Sequence, residues 1–256
     1  MSATDALALA VAVVTLATMP VFALVSRSRP MDPDVARRGR TILLGRWVRD
    51  WLMWLIGPLE RAMVRAQVSP DALNLLGAAF GLSAGIAFGF GAFGAAGWLI
   101  LLGGASDVFD GRIARARGIV SDYGAFLDST LDRFAEAFTF LGLVVYFAAT
   151  PVAAFLAAAA MSGSLLVSYA RARGDALGVS VTGGLMQRAE RLVLLALAAL
   201  LDPLMESRGW SPHGAVVIGA ILLIAVGAWG TACWRVAAIS RGLKARLMKG
   251  RSETAG

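Results

Sequence analysis

The sequence predicts an all-α fold, a polytopic membrane helical bundle, and three observations carry that prediction. Hydrophobic residues make up 58% of the 256 positions, and mean hydropathy is +0.70, well beyond a soluble domain. Apolar runs of membrane length recur along the whole chain. Arginine gathers in alternate loops between those runs, as the positive-inside rule requires of a membrane protein. Crossing a ~30 Å hydrocarbon core takes about 20 residues of helix. Lipid offers the backbone no hydrogen-bond partner, so each run must be helical.

Seven runs qualify or nearly do: 6–25, 72–90, 95–110, 126–149, 152–169, 192–204 and 215–234. The third and sixth read short because one end of each runs into charged residues. The first has no lysine or arginine in its leading Met-Ser-Ala-Thr-Asp, and basic residues follow it, which predicts an uncleaved anchor with its N-terminus outside. Arg27, Arg29, Arg37, Arg38, Arg40, Arg46 and Arg49 follow the first run, and Arg112, Arg115 and Arg117 the third. Arg171 and Arg173 follow the fifth, and Arg235, Arg241, Lys244 and Arg246 the last. The opposite loops hold just Arg208, so the C-terminus and every charged motif are expected in the cytoplasm, in a bacterial-type inner membrane.

Between the first two spans, "TILLGRWVRDWLMWLIGPLERAMVRAQ" is amphipathic. Trp47, Trp51 and Trp54 recur at helical spacing, which predicts an interfacial helix with its indoles at headgroup depth. The net charge of +7 and pI near 10.6 follow from retained arginines and anionic membrane lipids; no free basic block points to nucleic acid. Cys233 is the single cysteine, which excludes an intrachain disulfide and a cysteine metal site. His213, the single histidine, opens the last run and reads as structural or interfacial.

Against this apolar background, "SDVFDGRIARARGIVSDYGAFLDSTLDR" places five aspartates between two spans. Asp107 and Asp110 are three apart and share a helix face, with Gly111 and Ala114 beside them. After a turn near 118–121, Gly124, Asp128 and Asp132 repeat at intervals of four. Two antiparallel helices would thus present four carboxylates to one another. An aspartate at the centre of a membrane helix costs roughly 2.5–3.5 kcal/mol, so four facing lipid would cost on the order of 10 kcal/mol. They must face the bundle interior or a wet cavity with cationic partners. Nearby arginines are one source of those partners; Mg²⁺ or Mn²⁺, which suits hard oxygen ligands and phosphate chemistry, is the other. Two such ions would make a phosphoryl-transfer site.

Asp107-x-x-Asp110-Gly111-x-x-Ala114-Arg115, eight residues, then Gly124-x-x-x-Asp128-x-x-x-Asp132 resembles the signature of the CDP-alcohol phosphotransferase family at every fixed position. The resemblance covers 69–234 and implies a six-helix core, with the first span and its basic linker outside it. It divides the chain into a membrane anchor, linker and amphipathic helix (1–68), a catalytic domain (69–240) and a basic cytoplasmic tail (241–256). It implies that Asp107, Asp110, Asp128 and Asp132 hold two divalent ions, with Asp132 also the general base. CDP-diacylglycerol would be the donor, with Gly111, Ala114, Arg115, Ser121 and Gly124 around its nucleotide. Pro70-Asp71-Ala72-Leu73-Asn74 resembles a further element of the family, which assigns Asp71 and Asn74 to the cytidine end; Asn74 stands where threonine is usual. A helix cap at Ser69 or Asp71, with Pro70 in the first turn, fits the same residues. A homodimer is also implied.

"SYARARGDALGVSVTGGLMQRAERL" bears Arg171, Arg173, Arg188 and Arg191. A guanidinium binds phosphate bidentately, so these four are candidates for a phosphate on the acceptor alcohol, as an alternative to simple positive-inside charge. Ser168-Tyr169-x-Arg171-Ala172-Arg173, Gly183-Gly184 and Arg188-x-Glu190-Arg191 resemble the phosphatidylinositol phosphate synthase branch, except that a lysine is common at 171. Inositol phosphate is therefore the favoured phosphorylated polyol, with glycerol 3-phosphate the alternative. A transporter would spread its carboxylates over several spans, a membrane prenyltransferase would need a second aspartate-rich motif, and an anchor protein would need no converging carboxylates.

Overall fold

The structure, a computed structural model, describes residues 15, 17–32, 35, 36 and 45–254, the last six as backbone. Residues 17–25 are helical, and seven longer helices follow: α1 (Arg46–Arg65), α2 (Pro70–Gly89), α3 (Phe93–Ala116), α4 (Asp122–Tyr146), α5 (Pro151–Ala176), α6 (Arg188–Ser207) and α7 (Ala215–Thr254). There is no strand among the described residues. Each of the last six spans expected from hydropathy corresponds to one helix. Half of the first span, and Arg37, Arg38 and Arg40, lie outside the described residues. α2, α5 and the stretch Ala215–Met248 of α7 are long and apolar enough to cross a membrane. The chain is an integral membrane protein.

Local chemistry sets the helix boundaries. Pro70 starts α2 and Pro151 starts α5, both at the position where a missing N–H costs nothing. Ser121 caps α4 by accepting the Gly124 N–H at 3.1 Å. Gln187 and Glu190 form a reciprocal capping box on α6. α3 ends because Gly118 takes φ +66°, which turns the chain back toward α4 within five residues.

The core lies between α2, α3, α4, α5, α6 and α7, with Phe88, Phe93, Phe140, Leu143, Ala157, Leu195, Ile221 and Ile224 buried. Small residues let α2 and α4 approach closely: a Cβ on Gly142 would run into the Gly85 carbonyl, and one on Gly81 into Ala135. This tight crossing holds the start of α2 against the aspartate-bearing part of α4.

Two expectations change. The tryptophans of α1 grip the N-terminal helix as well as facing outward. Phe22 is fully buried, its ring centroid 5.4 Å from Trp47 and 5.6 Å from Trp54, and Trp51 donates its indole N–H to Thr18 Oγ1 at 2.8 Å. Trp51 is therefore packed inside the protein rather than against lipid, because the 17–25 helix covers that face of α1. The expected boundary at 240 also falls inside an unbroken helix. α7 runs about 60 Å at 1.5 Å per residue. Its continuation packs on the end of α5, where Arg246 donates to the Leu177 and Gly178 carbonyls and Ile239 lies against Gly174.

Candidate active site

α3 and α4 bring the aspartates together. The carboxylate oxygens of Asp107, Asp110 and Asp128 lie within 4.8 Å of one another. Asp110 is 4% exposed, and its Oδ2, like Oδ1 of Asp128, has no hydrogen-bond partner. A buried carboxylate oxygen left without a donor costs free energy unless something positive meets it. All the converging donors are hard oxygens, which fits a divalent cation. The donor set and the two orphaned oxygens thus agree with the expected metal site.

Asp132 stands one turn beyond Asp128 and is tied to α6. Arg188 NH1 lies 2.6 Å from Asp132 Oδ2 and 3.2 Å from Asp107 Oδ2. Burial works against the charge on Arg188, but Asp132 and Asp107 outweigh it and raise its pKa above the ordinary value. Asp107, Asp110, Asp132 and Arg188 line one cleft with Asn74, which is buried at the start of α2. The cleft continues inward past Gly81 and Thr139. Asp71, in the first turn of α2, is half-buried.

The other sequence-predicted residues are distributed around this cluster. Gly111 and Ala114 are half-buried on the last turns of α3, and Arg115 folds back over Gly111: a Cβ there would lie 3.2 Å from Arg115 NH1. Gly124 is half-buried in the first turn of α4, and Ser121 serves as its cap. Arg171 and Arg173 are exposed in the last turns of α5, with Arg171 Nε 3.7 Å from Asp175.

Arg191 is not at the mouth. It is 1% exposed and bound bidentately by Glu136, Nε to Oε1 at 2.7 Å and NH2 to Oε2 at 3.0 Å, while NH1 donates to the Met186 carbonyl. Its donors are directed at protein acceptors, so the expectation that it meets the acceptor phosphate is corrected. Sequence reasoning missed Glu136. The available signal was spacing: Glu136 lies one turn past Asp132, as Arg191 lies one turn past Arg188. The two pairs form successive rungs between α4 and α6.

Two further elements went unread. Arg235 on α7 is 3% exposed and donates to the carbonyls of Gly183, Val167 and Thr182 at 3.0, 2.9 and 3.4 Å. One turn earlier, Thr231 Oγ1 accepts the Met186 N–H at 3.1 Å. α7 thereby holds the loop that delivers Arg188. Arg112, which sequence reasoning assigned only to positive-inside charge, is paired with Asp32 and Glu60.

Comparison with known proteins agrees with this geometry. Residues 67–229 match the model of the CDP-alcohol phosphatidyltransferase family. The chain is 33% identical over 222 residues to a phosphatidylinositol phosphate synthase of Streptomyces avermitilis, covering 84% of this chain and 88% of the relative. It is 32% identical over 183 residues to an archaetidylinositol phosphate synthase of Pyrococcus horikoshii, covering 70% and 89%. The crystal structure of Mycobacterium tuberculosis phosphatidylinositol phosphate synthase with CDP-DAG bound superposes with a TM-score of 0.64 at 26% identity, over 71% of this chain and 92% of that one. The same enzyme has been solved in complex with manganese and citrate, and matches equally, over 71% and 87%. The match spans every aspartate of the cluster and five of the helices around it whole, and it makes this chain a member of the CDP-alcohol phosphatidyltransferase family.

Proposed function

We propose that the protein transfers the phosphatidyl group of CDP-diacylglycerol to a hydroxyl of a phosphorylated polyol, inositol phosphate in first place, releasing CMP. The observation that carries this reading is the cleft in which Asp107, Asp110 and Asp132 meet Arg188. It joins a cation-binding carboxylate set to an arginine able to receive a phosphate. The names of the relatives supply the donor and acceptor classes.

Asp107, Asp110, Asp128 and Asp132 would hold two divalent ions, Mg²⁺ or Mn²⁺, which supply charge neutralisation on the diphosphate and on the departing CMP. Asp132 accepts the proton of the acceptor hydroxyl as its oxygen bonds to the lipid-side phosphorus and the diphosphate P–O bond breaks. The electron pair leaves on CMP. Gly111, without a side chain, lets the nucleotide approach the backbone, and Arg115 folds over the same place. Asp71, Asn74, Ala114, Ser121 and Gly124 border the nucleotide end. Arg188 moves from the aspartates to the acceptor phosphate, assisted by Arg171 and Arg173. Arg191 supports it from the rung beneath. The site faces the cytoplasm of a bacterial-type inner membrane, residues 69–240 hold the catalytic helices, with α7 running on unbroken into the basic tail, and the protein is a homodimer; arginine distribution and family resemblance support these statements.

The test is CMP release by purified protein from CDP-diacylglycerol with Mg²⁺ or Mn²⁺. Inositol phosphate, glycerol 3-phosphate, free inositol and serine are compared, with Asp132→Asn as control. Release with inositol phosphate alone, lost in the variant, is the expected result. Release with glycerol 3-phosphate alone would replace the acceptor, and release with none would overturn the reading.

A further inference from the structure

The family model's match begins at residue 67, and the 17–25 helix and α1 precede it. Yet the helix that carries Asp107, Asp110, Gly111 and Arg115 is held from that side. Arg112 projects from α3 next to Gly111, and its NH1 and NH2 meet Asp32 Oδ1 and Oδ2 at 3.2 and 3.0 Å. Its Nε meets Glu60 Oε2 of α1 at 2.7 Å. Asp32 is fixed in turn: its backbone N–H donates to Asp50 Oδ1 at 2.8 Å, and Arg29 lies 3.5 Å from the same oxygen. Asp32 and Asp50 are 8% and 6% exposed, so these contacts are sheltered from water and salt. Burial alone would lower the pKa of Arg112, but the hydrogen bonds it donates to Asp32 and Glu60 more than offset it.

The packing follows the same line. Phe109 and Ile113 of α3 are buried against Ile56, Met63 and Val64 of α1. Arg117 donates to the Gln67 and Val68 carbonyls, closing the α1–α2 turn over the end of α3. The 17–25 helix is locked to α1 through Phe22 and Trp51. The last turns of a helix are ordinarily the first to fray. Here an ion-pair network anchors them from two elements that precede the family model's match.

We propose that the N-terminal segment is a strut for the active site: Asp32 and Glu60 act through Arg112, a positioning residue, to set where Gly111 and Arg115 stand for the nucleotide of the donor. The strut rests on the proposed function only for the identity of that ligand. It fixes the donor end of the site and leaves the acceptor end, built from α5 and α6, untouched.

The experiment compares full-length Asp32→Asn and Asp32→Glu proteins with the wild type in detergent. Steady-state transfer is read together with hydrogen exchange over residues 107–117. Losses from outer partners of a site are commonly 10- to 100-fold, and about tenfold in KM for CDP-diacylglycerol is expected for Asp32→Asn. Faster exchange over 107–117 should accompany it, with acceptor KM, kcat and melting temperature unchanged and substantial recovery in Asp32→Glu. Unchanged donor KM and exchange would overturn the strut. So would both KM values rising together with a fall in melting temperature, which marks general destabilisation. If the wild type transfers nothing, the proposed function fails separately. CMP affinity in the presence of Mn²⁺ then replaces KM: weaker binding with faster exchange supports the strut, and equal values overturn it.

Discussion

Each end of the bundle carries an acidic cluster, and the two clusters differ in what satisfies them. At one end Asp107, Asp110 and Asp128 converge, yet buried oxygens of Asp110 and Asp128 have no partner. At the other, Asp202, Glu206 and His213 are as close together. There Asp202 is fully buried, and its oxygens accept N–H donors from Gly214, Val216 and Val217 at 2.8, 3.0 and 3.4 Å. It is a cap for the first turn of α7, supplied by α6. His213 stacks on Phe93 at 4.5 Å and bridges Glu206 at 2.6 Å and the Gly91 carbonyl at 3.2 Å. Proximity of carboxylates is common to both ends. Unmet hydrogen-bonding capacity is what separates a site for a ligand from a structural knot.

Substitutions at the two ends should therefore fail differently. The largest effect is expected for Asp132→Asn: loss of the proposed proton acceptor lowers transfer by about 10³-fold, measured as CMP release, with melting temperature held. Asp128→Asn should weaken Mn²⁺ binding by titration calorimetry, whereas Asp202→Asn should leave it unchanged. Equal metal loss from both would erase the distinction between the ends. Next, Glu136→Gln strands the buried Arg191 charge and should cost about 3–5 kcal/mol of stability in denaturant titration, the range for a broken buried pair. Replacing Glu136 and Arg191 together by apolar residues should recover much of that loss. Asp202→Ala removes a helix cap and should cost about 1–2 kcal/mol, with KM for either substrate unchanged. The smallest effect belongs to Arg171→Ala, whose exposed pair with Asp175 is worth at most about 1 kcal/mol. A larger fall in acceptor affinity than in stability would assign Arg171 to substrate.

Much of this was legible before any coordinates. The helices show as apolar runs, because lipid leaves a membrane segment little choice of backbone structure. The aspartate cluster shows because its spacing of three and four is local, and one short turn at Gly118 pairs the two helices that carry it. Arg188 and Arg191 read alike: both are arginines at the start of one helix, three residues apart. Glu136 arrives from another helix and consumes the second while leaving the first for the cleft. Asp202 does not stand out inside an apolar run, because its partners are the backbone of the next helix. Asp32 sat in a linker that looked merely basic, and Trp51 on a helix that looked merely interfacial.

The sequence by itself determined the membrane bundle, the order and approximate bounds of its helices, and which carboxylates face one another. These follow from solvent and from helical periodicity, which act within a few turns. The tertiary structure alone decided which charges are consumed in packing and which stay open to a ligand. A charged side chain inside a bundle must be answered by partners brought from distant parts of the chain, and only the packed helices decide which partner arrives.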